Sequence, residues 1–365
     1  MKRILPLSLV CLSAVWIYAC SDDKAEPSDT TTQDGGGGTE QDSGGTTTDE
    51  DGGTKPNDSG TPDAPVVTTS NPIEGASAAK IITPNDFDDF ADGPIFRNGK
   101  LYYTLPLSSI MVEYAPPSTF TPVRDYNALN PKLTPIGQTF DPKTSTVVTT
   151  EAEISMAPTT SRLVRSGSDA GATTAITLTY DAGVSAFESP NDVVARADGT
   201  LYVTDPGYQK QLSGGATTNR IYRIAANNQA FVEKEFALSE KPNGIALSPD
   251  GNTLYVSLTD RNKVVKYPIA ANGILGAESD FVTGVTQPDG LCVDTAGNLY
   301  VTTATGVSVH KADGTKWGAI DTKKGGAAVA ATGVAFGGTD MKTLYVTAEG
   351  AVFEVTGLKV AGTAQ

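Results

Sequence analysis

Cysteine and histidine are nearly missing from this chain: of 365 residues, three are cysteine and one is histidine. Cys11 and Cys20 fall within the first twenty residues, which leaves Cys292 alone in the remainder. A disulfide framework is therefore excluded, and the core must hold by packing. The single His310 excludes a multi-histidine zinc site. Its place in the alternating run Val307-Ser308-Val309-His310-Lys311 reads as a surface or packing position rather than as the base of a Ser-His-Asp arrangement. There is no long stretch of 3.6-residue apolar period, which argues against a helical fold, and no apolar run long enough to span a bilayer. Clustered base is missing too. With 27 Lys and Arg against 42 Asp and Glu, a net charge of −15 and no basic patch, nucleic acid is excluded as a partner, because phosphate contacts need grouped cations.

The two ends of the chain differ in kind. Lys2 and Arg3 precede an apolar run from Ile4 to Ala19, and Cys20 follows at once, the layout of a secretory signal over residues 1–19. The sequence Ile17-Tyr18-Ala19-Cys20 resembles the bacterial lipobox, which implies acylation of Cys20; ordinary cleavage beside a free thiol is the alternative. Residues 20–70 are almost wholly Gly, Ser, Thr, Asp, Glu and Pro, and cannot bury a core, so they are expected to form a disordered tether. Twelve acids against Lys24 and Lys55 place −10 of the charge there; with Lys2 and Arg3 set aside, −7 remains for residues 71–365. The expectation is an exported bacterial lipoprotein of the cell envelope, at the outer membrane, touching the bilayer through its N-terminal lipid only.

Residues 71–365 are rich in β-branched and aromatic runs bounded by Gly, Pro, Asn and Asp, which predicts an all-β domain. A turn followed by a Leu-Tyr-Val-Thr element recurs, with anchors at Leu101, Leu201, Leu254, Leu299 and Leu344 and a weaker copy near Thr146. The spacings of 45, 55, 53, 45 and 45 residues suit one four-stranded blade each, so the prediction is a six-bladed β-propeller of four-stranded antiparallel blades. About ten residues before each anchor stands a second element, beginning at Asp92, Ile136, Asn191, Asn243, Asp289 and Thr332. In a propeller these positions converge on one central ring. Taken singly they would be turn residues, since Asn, Asp and Gly are the commonest turn formers. Taken together, two carboxylates and two carboxamides crowded round a channel repel and go unsatisfied unless a cation joins them. Such an all-oxygen set suits Ca²⁺, with other divalent cations as alternatives.

Ser189-Pro190-Asn191-Asp192-Val193, Thr204-Asp205-Pro206-Gly207-Tyr208, Pro242-Asn243-Gly244-Ile245 and Pro288-Asp289-Gly290-Leu291 together resemble the signature of the gluconolactonase, regucalcin (senescence marker protein) and luciferin-regenerating enzyme family. The resemblance implies a metal held by Asp92, Asn243 and Asp289 with Asn191, and catalysis at Asp289 as base or nucleophile. It also implies a small lactone or ester as substrate, bound by Asn191, Glu151 and Tyr208. The family carries Glu where this chain has the shorter Asp92, and usually Asn where it has Ile136. Taken alone, Glu151 reads as a solvated strand residue rather than a ligand, and Tyr208 could equally pack a turn. Two other readings stay open: a phosphoesterase on the same site, and a non-catalytic propeller that binds a small molecule or a protein. The chain is expected to act as a monomer.

Overall fold

The computed structural model describes residues 70–81, 89–117, 119–167, 171–215 and 217–363. The signal segment, Cys20 and the tether lie outside them. The described residues form six blade sheets; five are of the predicted four antiparallel strands, the third carries a fifth strand, Thr179–Tyr180, parallel to Gln229–Phe236, and a separate two-stranded sheet pairs Lys323–Lys324 with Ala327–Ala328. Blade one comprises Asp92–Arg97, Lys100–Leu105, Ile110–Ala115 and Thr119–Asp125, and each later blade repeats that meander. The ring is closed by the first described strand. Ser77–Ile81 supplies the outermost strand of blade six, pairing antiparallel with Ala351–Thr356 from Ser77 opposite Thr356 to Ile81 opposite Val352.

The repeated Leu-Tyr-Val-Thr element is the second strand of each blade, and its alternation reads as two buried faces. In blade three, Leu201 and Val203 pack backward against Val148 and Leu163 of blade two. Tyr202 packs forward against Ile245, Leu254 and Val256 of blade four. Both faces are apolar because a blade has a neighbour on each side. Each fully buried aliphatic or aromatic side chain there contributes about 2 kcal/mol. Tyr202 spends its hydroxyl on the Gly273 carbonyl at 2.6 Å. The last blade meets the first through Phe96 stacked on Tyr345, ring centroids 5.4 Å apart. Cys292 is buried and free, as a disulfide-free core requires.

The weak second copy proves to be one residue out of register. Thr150, not Thr149, occupies the place of Thr204, because its hydroxyl reaches Asn191 O at 2.6 Å just as Thr204 reaches Asn243 O at 2.7 Å. With no Leu-Tyr pair to mark it, the sequence Thr146-Val147-Val148-Thr149-Thr150 offers two equivalent alignments, and only the hydrogen bond distinguishes them.

Candidate functional site

The inner strands do not run straight into the channel. Pairing shifts register between Asp92 and Ile95, Pro135 and Gln138, Pro242 and Ile245, and Ala331 and Gly333. Such bulges turn side chains out of the ladder, here toward the axis. The glycines that follow the ring residues are there for space. A Cβ on Gly93, Gly244 or Gly290 would collide with the backbone carbonyl of Ile136, Asp289 or Thr332 in the next blade. Blade three breaks the pattern with Asp192, whose carboxylate accepts from Val193 N at 2.8 Å and from Ile245 N at 3.0 Å, bracing blade four.

A belt of hydroxyls fixes the ring from behind. Thr104, Thr150, Thr204, Ser257 and Thr302 donate to the carbonyl oxygens of Ile136, Asn191, Asn243, Asp289 and Thr332, at 2.9, 2.6, 2.7, 2.7 and 3.0 Å. Thr332 closes the circuit, its hydroxyl bonding to the Ala91 carbonyl and lying 3.1 Å from that of Thr347. In the sequence that final Thr or Ser reads only as part of a strand signature. Its recurrence at the same place in every repeat was the available signal for a second role.

All six predicted ring positions, Asp92, Ile136, Asn191, Asn243, Asp289 and Thr332, line one cavity of about 30 Å³, with Phe90, Tyr208 and Gln209 completing the wall. Tyr208 and Gln209 open the short helix Tyr208–Leu212, which borders the cavity at its first turn. Asp205 accepts from the backbone N–H groups of Glu188 at 2.8 Å and Ser189 at 2.7 Å, and Ser189 bonds to Gln209, so the loop that delivers Asn191 is braced from two sides. Glu151 does not join the cavity. It is fully buried rather than solvated, and its Oε2 accepts from Arg162 Nε at 2.8 Å. Cys20 lies outside the described residues.

The polar groups that face the cavity are under-satisfied. Asn243 gives its Nδ2 to Thr259 Oγ1 at 3.1 Å, while its buried Oδ1 has no partner. Asp92 takes one bond, from Gly93 N at 2.8 Å. Among the described residues neither the Asp289 carboxylate nor the Asn191 carboxamide bonds to a protein donor, and no ion pair involves Asp92 or Asp289. Burial raises the carboxyls of Asp92 and Asp289 above the usual carboxylate range, and for Asp289 the charges of Asp92 and Asp192 add to it. No three carboxylate, imidazole or thiolate groups cluster among the described residues, so the carboxamides are indispensable to any ligand set here. Two carboxylates, an unpartnered amide oxygen and a cavity of ionic size fit a hard divalent cation.

The SMP-30/Gluconolactonase/LRE-like region model matches residues 91–350. A gluconolactonase of Zymomonas mobilis is 31% identical over 155 residues, covering 38% of this chain and 43% of that protein. A pentonolactonase of Haloferax volcanii is 35% identical over 170 residues, covering 44% and 53%. The chain thus spans about half the length of these curated relatives. Among solved structures, regucalcin of Agrobacterium tumefaciens, a calcium-binding protein, superposes with a TM-score of 0.58 at 20% identity over 77% of this chain and 94% of that one, a likeness of fold. Six blades, the ring of Asp and Asn at their inner ends and a match over most of the folded residues place this chain in the SMP-30/gluconolactonase/LRE-like family.

Proposed function

We propose that the chain hydrolyses a small lactone, a sugar lactone or similar ester, at the ring of Asp92, Asn191, Asn243 and Asp289, with Ca²⁺ as the fitting ion. The observation that carries this reading is the buried Oδ1 of Asn243, unpartnered beside two carboxylates that no protein cation neutralises. Lactonase activity in relatives that share the family's region supports it. Asp92, Asn243 and Asp289 would hold the ion, with Asn191 beside them; when bound, the ion supplies Lewis-acid polarisation of the ester carbonyl.

The chain's own groups do the rest. Asn191, with its carboxamide unengaged, orients the substrate by donating and accepting hydrogen bonds. Phe90 and Tyr208 wall the mouth and restrict water. Asp289 Oδ1 and Oδ2, free of protein donors, are placed to take the proton of an attacking water. The export signal and the acylated Cys20 belong to this proposal on sequence grounds, and put the reaction at the cell envelope.

The test is proton release from glucono-δ-lactone by the purified chain, first with added Ca²⁺ and then with chelator, alongside Asp289→Ala. Metal-dependent turnover that the substitution abolishes is the expected result. No turnover on any sugar lactone, with no calcium-dependent rise in melting temperature, would sink it in favour of a binding propeller.

A further inference from the structure

The channel does not end at the ring. A second cavity of about 40 Å³ shares Asp92, Asn191 and Asp289 with the first. It shares Thr139 and Val194 in turn with a third, of about 440 Å³, at the remote end. That volume lies within the range of small-molecule sites. The hairpin turns of blades two to four form its sides, Ala195, Ala246 and Val293 give it apolar surface, and Arg97 enters from blade one.

Arg97 is the group that the fold leaves unexplained. Its guanidinium carbon lies 3.4 Å from the centroid of the Phe140 ring. Its Nε is buried without a hydrogen-bond partner, and among the described residues no carboxylate pairs with it. The acids nearby are already engaged. Asp198 accepts from Thr200 N at 2.9 Å and from Arg196 Nη1 at 3.1 Å. Asp250 is taken up in its own turn by Ser248 Oγ at 2.6 Å and by Asn252 N at 3.0 Å. Lys143, whose Nζ donates to the Asp198 carbonyl at 2.8 Å, adds a further cation to the rim. A partly buried guanidinium without an anion is costly, and stacking on an aromatic face offsets only part of that cost.

We propose that this remote cavity binds a small organic anion, its carboxylate or phosphate seated on the Arg97 guanidinium. The planar fork of an arginine takes either group through two parallel hydrogen bonds. The apolar walls favour an anion with an apolar body over a bare ion. The two ends of the channel then sort ligands by charge: a cation-seeking ring at one mouth, an unpaired guanidinium at the other.

Calorimetric titration of the full chain at fixed ionic strength, with benzoate, acetate and inorganic phosphate, tests this independently of any turnover. Benzoate is expected to bind at least about tenfold more tightly than acetate, and equally with Ca²⁺ or chelator present. Phosphate binding more tightly than benzoate would identify a phosphate ligand on the same group. Arg97→Met keeps apolar bulk against Phe140 and removes the charge; it should weaken binding by about tenfold or more. Arg97→Lys should fall between, and serves alone if the methionine variant does not fold. No binding of any of the three probes, or affinity unchanged in both variants, would overturn the proposal.

Discussion

Asn243 and Asp289 are joined through one hydroxyl. Thr259 Oγ1 accepts from Asn243 Nδ2 at 3.1 Å and donates to the carbonyl of Pro288 at 2.8 Å, the peptide that leads into Asp289. Because the Thr259 proton is committed to Pro288, its oxygen can only accept from Asn243, and that fixes the amide with Oδ1 toward the cavity. One threonine outside the ring thus orients a ligand from blade four and holds the backbone of a ligand in blade five.

Thr259→Val should accordingly uncouple the two. Loss of this doubly used hydroxyl is expected to cost about 1–2 kcal/mol of stability, with calcium affinity falling about tenfold because the Asn243 amide is free to turn. Thermal melts with and without Ca²⁺ measure both. An unchanged calcium increment would show that the amide needs no such restraint.

Asp289→Asn separates the two roles of that carboxylate. Without Ca²⁺, the variant relieves the repulsion between Asp289 and Asp92 and should melt higher than the parent. With Ca²⁺ it should gain little and turn over no lactone. Chelator-treated samples melted side by side provide the comparison.

Gly244→Ala tests the close approach of neighbouring blades. The added Cβ has no room against the Asp289 carbonyl, so a loss of about 3 kcal/mol is expected in urea unfolding. Gly99 is the control: its φ is +77° but nothing lies within 4 Å of a Cβ there, so alanine should cost only about 1 kcal/mol.

The only histidine in the chain permits an unambiguous pH experiment. Burial pushes the His310 imidazole below its ordinary value of 6.5, while the Gly314 carbonyl beside Nδ1 and Ser308 beside Nε2 satisfy the neutral ring. The unfolded chain therefore takes up a proton near pH 6.5 that the folded one refuses. The His310 contribution to stability is complete above that pH and is lost as pH falls toward the folded value. The single imidazole signal in proton NMR should stay at its neutral position below pH 6.5. Urea midpoints for the parent should drop more on acidification than those for His310→Gln.

Most of the architecture was legible because its determinants repeat. Leu201-Tyr202-Val203-Thr204 and its copies encode a strand buried on both faces, and six such strands at blade-sized intervals leave few folds to choose from. The ring positions were legible for the same reason. What escaped was whatever acts once or acts across blades. Thr259 bonds to residues 16 and 29 positions away. Asp192 looked like the partner of Asn191 in a motif, but its carboxylate serves the backbone of Ile245. Glu151, an isolated acid in a strand, gave no sign that Arg162 on the adjacent strand would claim it. Arg97 carries no motif at all, and stands out only when the acids around it are seen to be engaged elsewhere.

The strand that closes the ring also sets a direction. Ser77 pairs with Thr356 at the end of blade six remote from the ring of carboxylates, and Pro72 O accepts from Lys359 N there at 2.9 Å. The polypeptide therefore enters the propeller from the Arg97 side. The ring mouth opens at the other side. On the proposed reading, in which the chain is held upstream and the ring takes a lactone, the substrate would reach the ring from the end away from the attachment, and the anion cavity would face back toward it.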